Sequence, residues 1–268
     1  MLDLGRIRAV LLDMDGVLHR GSDVLPGAAE LAPTMADLNL RYACLTNNSS
    51  QLPATFAARL GANGIHITPE HIITSSTATS RMLRERYPQG TRMLAIGMDG
   101  VRQSLFGDGY FVPADRDVAA VVVGVDFELT YATLRAGTLA LRAGAEFIAT
   151  NADKTFPSPE GLIPGAGAIV AALQAASDRV PEIVGKPRPA MFEAALHLLG
   201  VSAAETLMVG DRLDTDIAGA QGVGIATAFV ETGVNTRAEA EACAAPPDLI
   251  LPDLAALLER LRSAHTRG

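Results

Sequence analysis

Aspartates and a single lysine stand at the ends of apolar runs in this chain. They occur in Asp13-Met14-Asp15-Gly16, Gly185-Lys186-Pro187 and Gly210-Asp211-Arg212-Leu213-Asp214-Thr215-Asp216; a further polar segment, Thr46-Asn47-Asn48, also follows an apolar run. A carboxylate can attack a phosphoryl group and carry it as an aspartyl-phosphate. A second carboxyl nearby can protonate the leaving oxygen, then deprotonate the water that resolves the intermediate. Asp13 and Asp15 are spaced for that pair, because side chains two apart in extended chain point to one side. Gly16 lets the chain turn sharply beside them. Thr46, Asn47 and Asn48 offer a hydroxyl, side-chain amides and backbone N–H groups to phosphate oxygens. Lys186 can point a compact positive charge at the same place.

Charge counting joins these segments. Asp13, Asp211 and Asp216 with a phosphate dianion total about −5 against +1 from Lys186, and like charges ~4 Å apart cost several kcal/mol each in a partly buried site. Mg²⁺ relieves that repulsion, since it takes oxygen ligands, tolerates few carboxylates and keeps several waters. Asp13 and Asp211 are read as direct ligands, and Asp216 as a residue that holds a metal-bound water. Each segment alone has a plainer reading: a turn after a strand, a solvated lysine, or, for Asp214 above all, a helix cap.

Residues so far apart meet only if the fold gathers them. Strand-like and helix-like stretches alternate through the chain, which is the pattern of α/β architecture. Strands are expected at Ala9–Leu12, Ala43–Leu45, Met93–Ile96, Ala119–Val125, Glu146–Ala149, Ile183–Val184, Leu207–Val209, Ile225–Ala228 and Leu249–Leu251. Helices are expected from about Gly27 to Leu38 (with Pro33 delaying or kinking it), and over Ala54–Leu60, Tyr131–Arg142, Ala168–Ala176, Pro189–Leu199 and Thr215–Ala220. Pro157 to Gly167 reads as a loop. In an open parallel sheet the strand ends share one edge, where ligands bind. The motif strands fall before about residue 80 and after about residue 183, so one core domain (1–80 and 184–268) interrupted by a second domain (81–183) is expected.

Composition narrows the partners. The chain has 268 residues, 49% apolar and 19% charged, with 4% aromatic residues, no Trp and a formal net charge of −8. That balance disfavours nucleic acid and anionic membranes, and stacking platforms for single strands are lacking. Cys44 reads as a buried thiol, and two cysteines without ligand spacing make neither a disulfide scaffold nor a zinc site. Without an apolar leader or a membrane-length apolar run, a soluble, cytoplasmic protein is expected.

Taken together, the four motifs resemble those of the haloacid dehalogenase-like (HAD) superfamily of phosphatases. Asp13-Met14-Asp15-Gly16-Val17 is similar to its first motif. Thr46-Asn47-Asn48 is similar to the second as written in subclass IIA, the NagD-like and p-nitrophenyl-phosphatase group. Gly185-Lys186-Pro187 and the segment Gly210 to Asp216 are similar to the third and fourth. Thr150-Asn151-Ala152-Asp153 and Pro164-Gly165-Ala166-Gly167 resemble cap segments of that group. The resemblance implies a Rossmann-like parallel-sheet core with an inserted α/β cap of the C2 type. It implies Asp13 as nucleophile and Asp15 as general acid/base, with Mg²⁺ held by Asp13, Asp211 and the backbone carbonyl of Asp15. Thr46, Asn47, Asn48 and Lys186 then hold the phosphoryl group, and Asn151 and Asp153 face the leaving group. Asp15 argues against the dehalogenase branch. One departure is His19, where the group is expected to carry a Tyr or Trp.

The activity implied is Mg²⁺-dependent hydrolysis of small phosphate monoesters through an aspartyl-phosphate, with a small phosphorylated metabolite as partner. Oligomeric state is not readable from the sequence; a homodimer through the cap is a guess. A phosphotransferase or mutase would use the same residues. A dinucleotide-binding oxidoreductase would rest on Gly165-Ala166-Gly167, where no clear strand precedes and Val170 holds the third glycine position. A non-catalytic binding protein has no use for intact Asp13, Asp15, Lys186 and Asp211.

Overall fold

Ala9-Val10-Leu11-Leu12 is buried at every position and forms strand β1 (Ala9–Asp13), which ends on Asp13. An apolar run of this kind suits a strand covered on both faces. The computed structural model describes residues 2–158 and 160–266. After β1 come the short strands β2 (His19–Arg20) and β3 (Asp23–Val24), helix α1 (Leu31–Asp37), β4 (Arg41–Thr46), α2 (Pro53–Ala62) and β5 (Ile72–Thr74). Helix α1 starts later than Gly27 because Pro33, lacking an N–H, fits only its first turn.

The chain continues with α3 (Ser75–Arg86), β6 (Arg92–Ile96), α4 (Asp99–Phe106), β7 (Val112–Pro113), β8 (Ala120–Val123), α5 (Tyr131–Arg142) and β9 (Glu146–Ala149). Next are β10 (Thr155–Ser158), β11 (Gly161–Pro164), α6 (Ala166–Ser177) and β12 (Glu182–Ile183). The last part holds α7 (Pro189–Leu199), β13 (Thr206–Gly210), α8 (Ala218–Gly222), β14 (Ala226–Val230), α9 (Arg237–Ala242), β15 (Leu249–Leu251) and α10 (Leu254–His265).

These elements form two units. The first comprises the chain up to Thr46, Pro53–Ile73, and everything from Lys186 onward; the second comprises Asn47–Leu52 and Thr74–Gly185. Residues 47–52, 74–80 and 184–185, placed in the core on sequence grounds, therefore lie in the second unit.

In the first unit the described strands make a sheet ordered β15-β14-β13-β1-β4-β5. β1 pairs in parallel with β13 on one side and β4 on the other. Chain order reverses between β1 and β13, which is where open α/β sheets bind ligands. Leu12 pairs with Val209, so Asp13 and Gly210 finish neighbouring strands side by side. Leu12, Cys44, Phe56 and Val209 share one core with Leu254, Leu257, Leu258 and Leu261 of α10. The three-and-four spacing of those leucines is an amphipathic helix face, and each buried leucine stabilises by about 1.5–3 kcal/mol.

The second unit has a sheet ordered β12-β9-β8-β6-β7, packed around Ile96, Val121, Val123, Phe147 and Leu173. Two expectations are corrected here. The strand before Lys186, β12, pairs with β9 of this sheet, so the third motif does not close a strand of the same sheet as the others. The stretch expected as a loop from Pro157 is the antiparallel hairpin β10–β11, with Gly161 at φ +121° near its turn. Pro157 and Pro164 hide the strand pattern, yet a two-stranded ribbon consists only of edges, where proline is tolerated. Among the described residues no helix is long and apolar enough to cross a membrane.

Candidate active site

Strand β1 delivers Asp13, and Asp211 follows directly on β13. The expected helix from Thr215 is instead a π turn over Leu213–Ile217, in which the Ile217 N–H donates to the Arg212 carbonyl at 3.2 Å; α8 begins only at Ala218. Single π turns of this type recur at functional sites. This one places Asp216 so that its Oδ2 accepts the Arg212 N–H at 3.2 Å while Oδ1 accepts Lys186 Nζ at 2.7 Å. Lys186 Nζ also donates to Asp13 Oδ1 at 2.7 Å and to the Leu45 carbonyl at 3.3 Å. Asp13, Lys186, Asp211 and Asp216 are all buried, between 0% and 8% exposed.

Asp13, Asp211 and Asp216 each offer a carboxylate oxygen, and the three lie within 4.8 Å of one another. Against one ammonium this leaves an excess of two negative charges in a buried place. Burial pushes the Asp13 carboxyl well above the usual range; Lys186 opposes that push, while Asp216 and Asp211 add to it. Burial and then Asp216 raise the Asp211 carboxyl to about 6, even though the Val234 N–H lowers it. Burial alone would lower the Lys186 ammonium, but Asp13 and Asp216 overcome it and hold the group charged.

The residues fit a divalent metal. Asp211 Oδ1 is buried with no hydrogen-bond partner among the described residues, which is costly unless a cation meets it. A dication would cancel the excess charge, and a set made only of oxygens suits a hard cation. The buried acidic triad can thus hold a divalent metal.

Other residues singled out in the sequence are placed as follows. Thr46 ends β4 and is buried at 3% exposure. Asp15 stays outside the buried cluster: its side chain is 54% exposed, with Oδ1 3.5 Å from His19 Nδ1. His19 is buried and neither ring nitrogen has a hydrogen bond among the described residues. Burial lowers its pKa, and Asp15 only partly offsets this. Asp214 is exposed and pairs with Arg212 at 3.0 Å, so it takes no part in the cluster.

Asn47, Asn48, Asn151 and Asp153 lie in the second unit. The Asn47 carbonyl accepts Ser75 Oγ and Asn151 Nδ2, each at 2.7 Å. Asn48 Oδ1 closes a turn by accepting the Ser50 N–H at 2.9 Å and Ser50 Oγ at 2.7 Å. Asn151, expected to face the leaving group, is buried and braces its own loop, with Oδ1 on the Asp153 N–H at 3.1 Å. The Gly165-Ala166-Gly167 segment follows an antiparallel hairpin, and the Gly167 N–H is already bonded to the Asp153 carbonyl at 2.9 Å. A strand, β11, does precede this segment, contrary to the sequence expectation, but it belongs to an antiparallel ribbon rather than a parallel βαβ unit and the Gly167 donor is taken, so that reading fails.

Sequence reasoning missed two partners: the Leu45 carbonyl beneath Lys186, and the Val234 N–H on Asp211 Oδ2 at 2.7 Å. The second had a usable signal. Val234 lies in the segment after β14, the neighbour of β13 in the sheet, and strand ends next to a switch point share its site.

Known proteins repeat this arrangement of sequence and fold. The family model for haloacid dehalogenase-like hydrolases matches residues 10–110, and one described as HAD-hydrolase-like matches residues 183–257. An acid sugar phosphatase of Staphylococcus epidermidis is 36% identical over 247 residues, covering 92% of this chain and 95% of that protein. The crystal structure of a 4-nitrophenylphosphatase from Thermotoga maritima superposes with a TM-score of 0.90 at 32% identity, covering 97% of this chain and 99% of that one. NagD from E. coli K-12 does so with a TM-score of 0.87 at 32% identity, over 93% and 97%.

Proposed function

We propose, for a chain that belongs to the haloacid dehalogenase-like hydrolase family and is a phosphatase of its NagD-like subclass IIA, that Asp13 carries the phosphoryl group during hydrolysis of a small phosphate monoester. The observation behind this reading is the Lys186 ammonium, bonded at 2.7 Å to both Asp13 and Asp216, beside Asp211 Oδ1, which has no hydrogen-bond partner among the described residues.

Lys186 holds Asp13 Oδ1, which leaves Oδ2 to attack phosphorus. A bond forms from Oδ2 to phosphorus as the bond to the leaving oxygen breaks. The Asp15 carboxyl, largely exposed, gives its proton to that oxygen. As a carboxylate it then takes a proton from water, which attacks the aspartyl-phosphate; the bond to Oδ2 breaks and phosphate departs. Lys186 and Thr46 stand against the negative charge of the phosphoryl oxygens. Asp13, Asp211 and the Asp15 backbone carbonyl are the groups that would hold Mg²⁺, with Asp216 behind them; when bound, the ion supplies Lewis-acid stabilisation of the transferring group.

Sugar phosphates and 4-nitrophenyl phosphate are the first esters to try, since similar proteins carry those names. The test is inorganic phosphate release from a panel of such esters, with Mg²⁺ or with EDTA. Release that needs Mg²⁺ and vanishes in a folded Asp13→Asn variant is expected. Near-normal release by that variant overturns the nucleophile assignment, and transfer to a sugar without free phosphate marks a mutase.

A further inference from the structure

We infer that the loop Thr232-Gly233-Val234 is a positioning element of the metal site: it fixes the Asp211 carboxylate so that Oδ1 rather than Oδ2 meets the cation. This rests on the functional reading above, and none of the four motifs contains these residues.

The two oxygens of Asp211 are treated differently. Oδ2 accepts the Val234 N–H at 2.7 Å, whereas Oδ1 is buried and unpartnered among the described residues. A buried carboxylate with one bare oxygen gains by rotating toward any donor, so the fold must hold it in place. Backbone packing does this. A Cβ on Gly16 would lie 2.5 Å from Asp211 Cγ, and a Cβ on Gly233 only 1.8 Å from Oδ2. Gly16 has φ +84°, so its own backbone also favours glycine; Gly233 is not among the positive-φ glycines. The three heavy atoms nearest a Cβ there all belong to Asp211.

The loop is tied to the first motif as well. Thr232 Oγ1 donates to the Gly16 carbonyl at 2.5 Å. The Arg20 guanidinium donates to the Thr232 carbonyl and, at 3.4 Å, to the Gly233 carbonyl. The Asn235 N–H donates to the Asp211 carbonyl at 3.3 Å, and Asn235 Oδ1 accepts the Leu213 N–H at 3.0 Å. The Val234 side chain is 70% exposed, so that residue acts through its N–H.

Loss of a group that orients a metal ligand costs about 10–100-fold in metal affinity. Calorimetric titration with Mg²⁺, alongside thermal melts in EDTA, tests the loop. Gly233→Ala is expected to weaken Mg²⁺ by about tenfold or more. Thr232→Val, which deletes only the hydroxyl, is expected to shift affinity the same way by less, with an EDTA melt close to wild type. Val234→Ala should bind as wild type does. Unchanged Mg²⁺ affinity in Gly233→Ala overturns the inference, as does unchanged affinity in Thr232→Val should the alanine variant not fold. A lowered EDTA melt with intact affinity marks a merely structural loop and overturns it too. If the wild-type chain binds no Mg²⁺, the functional reading falls and this inference with it; firm wild-type binding that no loop variant alters removes the loop's role alone.

Discussion

Replacing Asp211 by asparagine should make the metal-free protein more stable while ending its activity. The carboxyl is 1% exposed. Burial and Asp216 raise it from its ordinary 3.8 to about 6. A carboxyl raised in this way ionises in the unfolded chain before it does in the folded one. Stability is therefore lost as pH climbs from 3.8 to about 6, and the whole cost persists above that range. A displacement of this size corresponds to ~3 kcal/mol. Asparagine carries no such cost, and its Oδ1 can still accept the Val234 N–H. Urea unfolding in EDTA, followed by circular dichroism, should show Asp211→Asn ahead of wild type by ~3 kcal/mol at about pH 8 and level with it at about pH 4. Mg²⁺ should stabilise wild type at the higher pH and leave the variant unmoved. An asparagine variant that is no more stable at pH 8, or that gains equally at both pH values, would refute the charge-excess argument.

Removing the cation instead of an anion should act the other way. Lys186→Met strands Asp13 and Asp216 in a buried place and should destabilise by about 3–5 kcal/mol in EDTA near pH 8, read by the same melts. His19→Phe replaces a buried imidazole whose nitrogens have no hydrogen bond among the described residues. Burial lowers the His19 pKa, so wild type loses stability as pH falls below about 6.5 while the unfolded chain takes up the proton. The advantage of His19→Phe in urea melts should therefore grow from about pH 7.5 to about pH 5, with phosphate release retained because Asp15 keeps its carboxyl. Apparent Mg²⁺ affinity should weaken as pH drops through about 6, since binding must displace the proton on Asp211; a pH-independent affinity would contradict it.

The buried strands were the most readable part of the chain. β1, β9, β13 and β15 are short apolar runs bounded by polar, glycine or proline residues, and nothing local competes with them. Legibility failed where long-range pairing decides the outcome. β12 is only Glu182–Ile183, and which sheet it joins depends on β9, more than thirty residues earlier. The β10–β11 hairpin has prolines at ladder positions, so local propensity pointed away from it. The π turn at Leu213–Ile217 reads as ordinary helix, because one inserted residue leaves no mark on apolar periodicity.

In the site, residue types were legible and geometry was not. Aspartates after strands announce chemistry only when several converge; Asp13, Asp211 and Asp216 converge because β1 and β13 are neighbours, whereas Lys186 joins them from the segment before α7. The split between Asp13 and Asp15 illustrates the difference. Two-residue spacing predicts one shared side, but the chain leaves β1 at Asp13, and Asp15 ends 54% exposed against His19. That division suits the chemistry. In the mechanism proposed above, Asp13 as nucleophile would be held still by Lys186, whereas Asp15, giving and taking protons, would have to reach water. Three carboxylates cluster here with one ammonium, which bonds to two of them. Such a cluster is a poor stabiliser, since buried ion pairs seldom repay their desolvation, and here the anions outnumber the cation. On the proposed function, a dication and a phosphoryl group would offset that excess charge. Asp211→Asn and Lys186→Met should therefore move stability in opposite directions while both end turnover.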